Sequence, residues 1–135
     1  MNPKKILIVD DDPDVRLSLS IRLKASNYET VFAEDGVSCI SEARKHMPDL
    51  VILDLGLPAG DGFTVLERLK ANLSLSSIPV IVVSGRDRIA NRGRALKAGA
   101  KAFLQKPVEN DRLLSLIRQV LAEKEEPPAT VYELG

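Results

Sequence analysis

Hydrophobic residues along the chain follow two different spacings, and the first is a set of short uninterrupted apolar runs. Five such runs, rich in Val, Ile and Leu, occupy residues 6–9, 31–33, 50–53, 80–83 and 102–104. Runs without interspersed polar residues are typical of strands buried on both faces, as in a parallel sheet. The pattern therefore predicts five mainly buried strands.

Between the runs, apolar residues recur every three or four positions, which predicts helices. The recurring residues are Val15, Leu19 and Leu23; Val37, Ile40, Ala43 and Met47; Phe63, Leu66, Leu69 and Leu73; and Leu113, Ile117, Val120 and Leu121. Asp12-Pro13 and Asp61 have the chemistry of helix starts, and Gly99 that of a helix stop. Five strand–helix units predict a doubly wound α/β domain with right-handed crossovers.

The length of 135 residues suits one domain. We expect that domain to span residues 1–122, with residues 123–135 forming a tail or the start of a linker. The reason is a charged run at 123–126 that is followed by Pro127-Pro128, which stops a helix.

Composition excludes several classes of function. Lys plus Arg and Asp plus Glu both total 19, and aromatic residues make up 4%, so we expect no direct nucleic-acid binding by this domain. A single cysteine, Cys39, rules out an internal disulfide and a Cys-based zinc site, and a single histidine, His46, makes histidine-based catalysis improbable. The first apolar run is too short for a signal peptide or a membrane span, so we expect a cytoplasmic protein without membrane contact.

Polar residues at the predicted strand ends are the candidates for chemistry, because sites in doubly wound sheets lie beyond the carboxyl ends of the strands. Asp10 and Asp11 follow the first strand, Asp54 the third, Ser84 ends the fourth and Lys106 follows the fifth. Three close carboxylates repel one another unless a cation lies among them. Oxygen ligands of this kind suit Mg²⁺, and a carboxylate can act as a nucleophile toward a phosphoryl group.

Four segments together resemble the receiver domains of response regulators in two-component signalling. They are Ile6-Leu-Ile-Val-Asp-Asp-Asp-Pro, Pro48-Asp-Leu-Val-Ile-Leu-Asp-Leu-Gly-Leu-Pro-Ala-Gly-Asp-Gly-Phe, Pro79-Val-Ile-Val-Val-Ser-Gly and Gly99-Ala-Lys-Ala-Phe-Leu-Gln-Lys-Pro. The resemblance covers roughly residues 4–122. It implies a flavodoxin-like (βα)5 fold with strand order 2-1-3-4-5.

The resemblance also implies a role for each matching residue. Asp54 matches the phosphoacceptor, Asp10 and Asp11 the acidic pair that binds Mg²⁺, and Gly56 the residue whose backbone carbonyl contacts that metal. Ser84 and Phe103 match the two switch residues. Thr is commoner in the family at the position of Ser84, and Tyr is commoner at the position of Phe103. Lys106 matches the lysine of the site, and the Lys106–Pro107 bond is expected to be cis.

The implied function is a signalling switch that catalyses only its own phosphorylation and autodephosphorylation. The expected partner is a histidine kinase or a histidine phosphotransfer protein. Two alternatives belong to other classes. A haloacid-dehalogenase-type phosphatase would use the Asp-x-Asp of residues 10–12, but Pro13-Asp14 follows and no cap insertion is available. A phosphorylation-independent interaction module is the other, and the complete set of site residues argues against it.

One segment carries a strong local charge. Residues 86–106 contain seven cations and a single acid, Asp87. The helix within this segment has few apolar residues to anchor it, chiefly Ile89 and Leu96, with Gly93 between them. We expect its basic face to contact an acidic partner, or a second copy in a homodimer through the 86–121 face; a simply solvated basic face is the alternative.

Overall fold

A computed structural model describes residues 2–57 and 61–125 of the chain, with strands and helices in strict alternation. The strands are β1 (Lys5–Val9), β2 (Glu29–Ala33), β3 (Leu50–Leu53), β4 (Val80–Ser84) and β5 (Ala102–Gln105). The helices are α1 (Pro13–Ala25), α2 (Gly36–His46), α3 (Gly62–Ala71), α4 (Arg88–Lys97) and α5 (Asn110–Glu125). Each predicted apolar run lies within one of these strands.

The five strands form one parallel sheet in the order β2-β1-β3-β4-β5, which confirms the predicted fold class. The central strands β1, β3 and β4 are almost entirely buried, whereas the edge strand β2 is partly exposed. In the register, Val9 pairs with both Ala33 and Leu53. Asp10 and Asp54, the next residues on β1 and β3, therefore leave the sheet side by side.

Two hydrophobic clusters cover the two faces of the sheet. One contains buried residues of α1 and α5, including Leu23 and Ile117, and the other contains those of α2, α3 and α4, including Phe63 and Ala95. The alternation of side chains along each strand distributes its residues between the clusters; in β1, Ile6 and Ile8 belong to the first and Leu7 and Val9 to the second. The sheet is thus enclosed between two helical layers, as doubly wound folds require.

The predicted helix boundaries agree with the structure. Asp12 caps α1 by accepting a hydrogen bond from the Asp14 backbone N–H at 2.9 Å, and Pro13 is the first helical residue. Asp61 caps α3 through the Phe63 N–H at 3.1 Å. Beyond α4, Gly99 has a φ of +112°, a left-handed conformation that glycine adopts without strain.

Four apolar residues that are expected to be buried, three from their spacing and Ile89 as an anchor of its helix, are instead exposed. Val37, Met47, Leu73 and Ile89 have exposed fractions of 76%, 52%, 96% and 91%. In α2 the buried residues are Ala43, as the spacing predicts, and Cys39, which lies outside the predicted set. Leu73 lies beyond the end of α3, and α4 is anchored by Ala95, with Leu96 only half-buried, and not by Ile89.

The expected domain boundary at residue 122 falls within α5, which continues to Glu125. Pro127-Pro128 and the remainder of the expected tail lie outside the described residues, so the boundary stays a prediction. Within the parts of the chain that the structure describes, none of the helices has the length and apolar character needed to cross a bilayer.

Candidate functional site

Asp10 and Asp11 lie directly beyond the end of β1, at the edge of the sheet where the strands terminate. The Asp10 backbone N–H continues the sheet by donating to the Ala33 carbonyl at 3.1 Å. Its side chain is almost fully buried, and Oδ1 accepts a hydrogen bond from the Asp12 N–H at 3.0 Å. The Asp11 side chain is exposed. One carboxylate is therefore fixed inside the site while its neighbour faces solvent.

Asp54 occupies the equivalent place at the end of β3. Its backbone N–H donates to the Val9 carbonyl at 2.9 Å, and its Oδ1 accepts a hydrogen bond from the Gly56 N–H at 3.1 Å. The residue is 9% exposed. The Asp54 carboxylate is consequently buried on most sides, with one oxygen held by the loop that follows β3.

Lys106, the residue that follows β5, reaches the carboxylates of both Asp10 and Asp54. Its Nζ lies 2.8 Å from Asp10 Oδ2 and 3.5 Å from Asp54 Oδ2. Burial lowers the pKa of this amine, but the hydrogen bond to Asp10 and the charges of Asp54 and Asp10 outweigh it, so the pKa of Lys106 is raised. The backbone is fixed by a 2.8 Å hydrogen bond from the Lys106 N–H to the Ser84 carbonyl, and the Lys106–Pro107 bond is cis, as expected.

Asp10, Asp11 and Asp54 together form a cluster in which one oxygen of each carboxylate lies within 4.8 Å of the others. Three carboxylates against one lysine leave the cluster with a formal charge of −2, two of the acids being buried. Hard oxygen donors at this spacing fit a small divalent cation such as Mg²⁺, which keeps several waters and binds through few carboxylates. The residues present therefore suit the expected metal.

Ser84 and Phe103 lie on the strands beside this cluster. Ser84 is fully buried, and its hydroxyl accepts a hydrogen bond from the Arg86 N–H at 3.1 Å. Phe103 belongs to β5, is 4% exposed and packs in the hydrophobic cluster that contains the buried residues of α2, α3 and α4. A Cβ added to Gly85 would meet no atom within 4 Å, so the chain beside Ser84 leaves open space.

Comparison with known proteins decides the family. The sequence pattern of the family described as response regulator receiver domain matches residues 6–118 of this chain. The chain belongs to that family. Receiver domains act in two-component signalling, and the acidic cluster of this one agrees with the phosphorylation and magnesium chemistry of such domains.

Similar proteins differ in how much of their length this receiver domain spans. Protein PilH of Pseudomonas aeruginosa is 35% identical over 118 residues, covering 87% of this chain and 98% of PilH. The DNA-binding dual master transcriptional regulator RpaA of Synechocystis is 35% identical over 124 residues, covering 92% of this chain but only 52% of RpaA. A crystal structure of a CheY-like receiver domain protein from Methanospirillum hungatei has a TM-score of 0.85 at 31% identity, covering 91% of this chain and 97% of that one.

Sequence reasoning about this receiver domain missed a set of contacts beside the site. The guanidinium of Arg94, on α4, lies 3.8 Å from the ring centroid of Phe63, on α3. Arg86 lies 6.0 Å from the same ring and forms an ion pair with Asp61 at 3.4 Å. The basic character of residues 86–106 predicted contact with an acidic partner molecule, and no pattern in the sequence pairs Arg86 with Asp61 or Arg94 with a buried aromatic ring.

Proposed function

We propose that this receiver domain is a signalling switch that accepts a phosphoryl group on Asp54. The observation that carries the proposal is the position of Lys106 Nζ between the Asp10 and Asp54 carboxylates, with Asp11 beside them. A site of this kind combines a carboxylate nucleophile with positive charge for the oxygens of an incoming phosphoryl group.

In the proposed transfer, an Asp54 carboxylate oxygen forms a bond to phosphorus while the phosphorus–nitrogen bond of a phosphohistidine breaks. The departing imidazole keeps the electron pair of the broken bond. Asp54 Oδ2 lies on the Lys106 side, whereas Oδ1 is held by Gly56. The Lys106 amine would balance charge on the transferred group, and the Ser84 hydroxyl would turn to donate a hydrogen bond to it.

Asp10, Asp11 and Asp54 would hold Mg²⁺, with the Gly56 carbonyl as a further ligand. When bound, the ion supplies positive charge for the phosphoryl oxygens and relieves repulsion among the carboxylates. Asp10 is already fixed by Lys106 and by the Asp12 N–H. We therefore infer that Asp11, whose side chain is exposed, is the more direct of the two ligands and that Asp10 acts partly through water.

The proposed donor is a histidine kinase or a histidine phosphotransfer protein. A groove of about 480 Å³ leads to the site between α1 and the segment after β5, lined among others by Val15, Leu19, Lys106 and Pro107. On the same helix, Leu17 and Ile21 are 59% and 61% exposed. The apolar residues that line the same groove as Lys106 would let a donor dock with its histidine near Asp54.

The phosphatase alternative is disfavoured by how Asp10 is held. A nucleophile that follows β1 would be Asp10, but its Oδ2 is held by Lys106 at 2.8 Å, against 3.5 Å for Asp54 Oδ2, and its Oδ1 accepts the Asp12 N–H. We propose instead that the domain acts on no external substrate and catalyses only the phosphorylation and hydrolysis of its own Asp54. We further propose a cytoplasmic location, without contact of this domain with nucleic acid or membrane.

Phosphorylation with a small donor tests the proposal. Incubation with acetyl phosphate or phosphoramidate and Mg²⁺ should add one phosphoryl group to the chain, detected by intact-protein mass spectrometry. The Asp54→Asn variant should gain none. The matched control is Asp12→Asn, because Asp12 caps α1 and asparagine caps helices equally well. Undiminished labelling of Asp54→Asn would refute the assignment of Asp54.

A further inference from the structure

Outside the site at the carboxyl edge of the sheet, an open groove lies between α2 and α3. Its volume is about 870 Å³. The lining residues are Val37, Ile40, Ser41, Arg44 and Lys45 of α2, together with Arg68, Ala71 and Asn72 of α3 and its end. None of these belongs to the site at the carboxyl edge of the sheet, so the groove is a separate feature of the molecule.

The groove is locally basic although the whole chain is neutral. Arg44, Lys45 and Arg68 supply three positive charges to the lining, and no described residue of the lining carries a carboxylate. All three are exposed, and within residues 2–57 and 61–125 their side chains form no hydrogen bond or ion pair. The nearby acid Glu42 pairs with His46 on α2, and Glu67 precedes Arg68 on α3. The groove therefore offers three cations that have no partner in the part of the chain that the structure describes.

The same groove has an apolar end. Val37 is 76% exposed at the start of α2, and the half-buried Ile40 lies one turn further along the same side. Positions 37, 40, 41 and 44 follow the spacing of one helix face, so this face changes from apolar to basic along about 10 Å. A single exposed valine needs no explanation. Aliphatic residues aligned with unpaired cations in one groove form an amphipathic surface.

We propose that the α2–α3 groove binds an acidic amphipathic segment of a partner protein. Aliphatic side chains of that segment would cover Val37 and Ile40, and its carboxylates would face Arg44, Lys45 and Arg68. An amphipathic helix in a groove is a common mode of peptide recognition, and complementary charge directs it to one register. Nucleic acid fits less well, because the described lining has no aromatic residue on which bases could stack and because one end of the groove is apolar.

A model peptide tests the groove in the unphosphorylated full chain, so the result does not depend on the proposed function. The probe is a labelled helical peptide of Leu, Ala and Glu, with Leu along one face and Glu beside it. We expect saturable binding in fluorescence anisotropy that weakens with added salt. In amide NMR spectra, the shifted resonances should cluster in α2 and the second half of α3.

Charge reversal separates the groove from general attraction. The double variant Arg44→Glu/Arg68→Glu should weaken peptide binding by about tenfold or more, because like charges would then face each other. The control Arg92→Glu/Arg118→Glu makes the same change in net charge at exposed positions of α4 and α5 and should bind as the parent chain does. Val37→Ser should also weaken binding, since it removes the apolar contact.

Several results would overturn the proposal. They are the absence of peptide binding, equal losses in both double variants, and shifts that map elsewhere. Binding of phosphatidylserine vesicles or of a single-stranded oligonucleotide, without binding of the peptide, would assign the groove to another class of ligand. Self-association in sedimentation experiments that Arg44→Glu/Arg68→Glu abolishes, again without peptide binding, would make it a contact between copies of this chain.

Discussion

Lys106 carries the one positive charge that reaches both Asp10 and Asp54 among the described residues. Its amine is partly buried, and the two carboxylates keep it protonated despite that burial. The Lys106–Asp10 pair is shielded from solvent mainly on the Asp10 side, where the side chain is only 4% exposed. The three carboxylates outnumber the one lysine, so the site carries excess negative charge that a bound Mg²⁺ would offset.

Asp11→Asn should lower the affinity for Mg²⁺ by about tenfold, equivalent to about 1.4 kcal/mol, whereas Asp12→Asn should leave it nearly unchanged. Asp12 already accepts the Asp14 N–H as a helix cap. Affinity should also be lower in acidic solution, because protons compete with the metal for its ligands. Isothermal titration calorimetry measures both effects. Equal losses in the two variants would mean that the wrong acid has been assigned to the metal.

Cys39 provides a second prediction, about pH. Burial, together with the charge of Asp35, raises the pKa of its thiol from 9.0 to about 12. The folded chain then keeps the thiol proton while the unfolded chain loses it above pH 9, so this stabilisation is complete below pH 9 and declines as the pH rises from 9 to 12.

Urea unfolding of the parent chain and of Cys39→Ala between pH 8 and 10.5 measures this difference. Above pH 9, the free energy of unfolding of the parent should decrease relative to the variant by about 1.4 kcal/mol per pH unit. If the difference in free energy of unfolding between the two proteins stays constant with pH, the pKa of the Cys39 thiol is not raised by folding.

At the scale of elements, the glycines Gly62 in α3 and Gly93 in α4 have opposite surroundings. Gly62 begins α3 against the backbone of the loop after β3; a Cβ there would lie 2.4 Å from Leu55 Cα and 2.7 Å from the Asp54 carbonyl oxygen. Gly93 lies within α4, where an added Cβ would meet nothing within 4 Å. Ala95 is the only buried residue among the ten residues of α4.

These surroundings predict opposite effects of the same substitution. Gly62→Ala should destabilise the fold by about 1–3 kcal/mol, because the backbone it meets cannot rotate away as a side chain can. Gly93→Ala should stabilise it by about 0.5–1 kcal/mol, since alanine loses less entropy in a helix. Midpoints of urea unfolding at neutral pH compare the two. Destabilisation by Gly93→Ala would show that α4 packs more closely than the structure has it.

In the whole molecule, α4 connects two strands that end or lie beside the site, and Ala95 is its one buried residue. It follows β4, which ends at Ser84, and precedes β5, which holds Phe103. Its contacts include the Arg94–Phe63 stacking and the hydrogen bond from the Arg88 N–H to Gln105 at 3.0 Å. An element with little buried surface opens at low cost in free energy, so a change at the site can shift it easily.

Hydrogen exchange tests this expectation. Amides of α4 should exchange faster than those of α3 and α5 in the unphosphorylated chain, and phosphorylation should change exchange within residues 86–106. Arg94→Ala should speed exchange of α4 further without affecting α5, because it removes the stacking on Phe63. If phosphorylation alters neither exchange in this segment nor self-association, the basic segment is not the output surface.

Much of this architecture could be predicted from the sequence, because buried parallel strands and helix caps leave local signals. Residues 50–53 form an apolar run that coincides with β3, and Asp12 and Asp61 cap the helices they precede. The placement of Asp10, Asp54, Ser84 and Lys106 at one edge follows from the rule that parallel strands end together. The particular strand order came from the resemblance to receiver domains, not from periodicity.

What the sequence by itself determined is the set of elements, their order along the chain and the residues that end each strand, since these depend on neighbours in sequence. Tertiary structure alone decided where the apolar spacing fails: Cys39 is buried while Val37 and Ile89 face solvent. It alone placed Arg94 over Phe63, and assembled Arg44, Lys45 and Arg68 around one groove. These contacts join residues on different helices, and their distances depend on how the helices pack on the sheet, which no local pattern encodes.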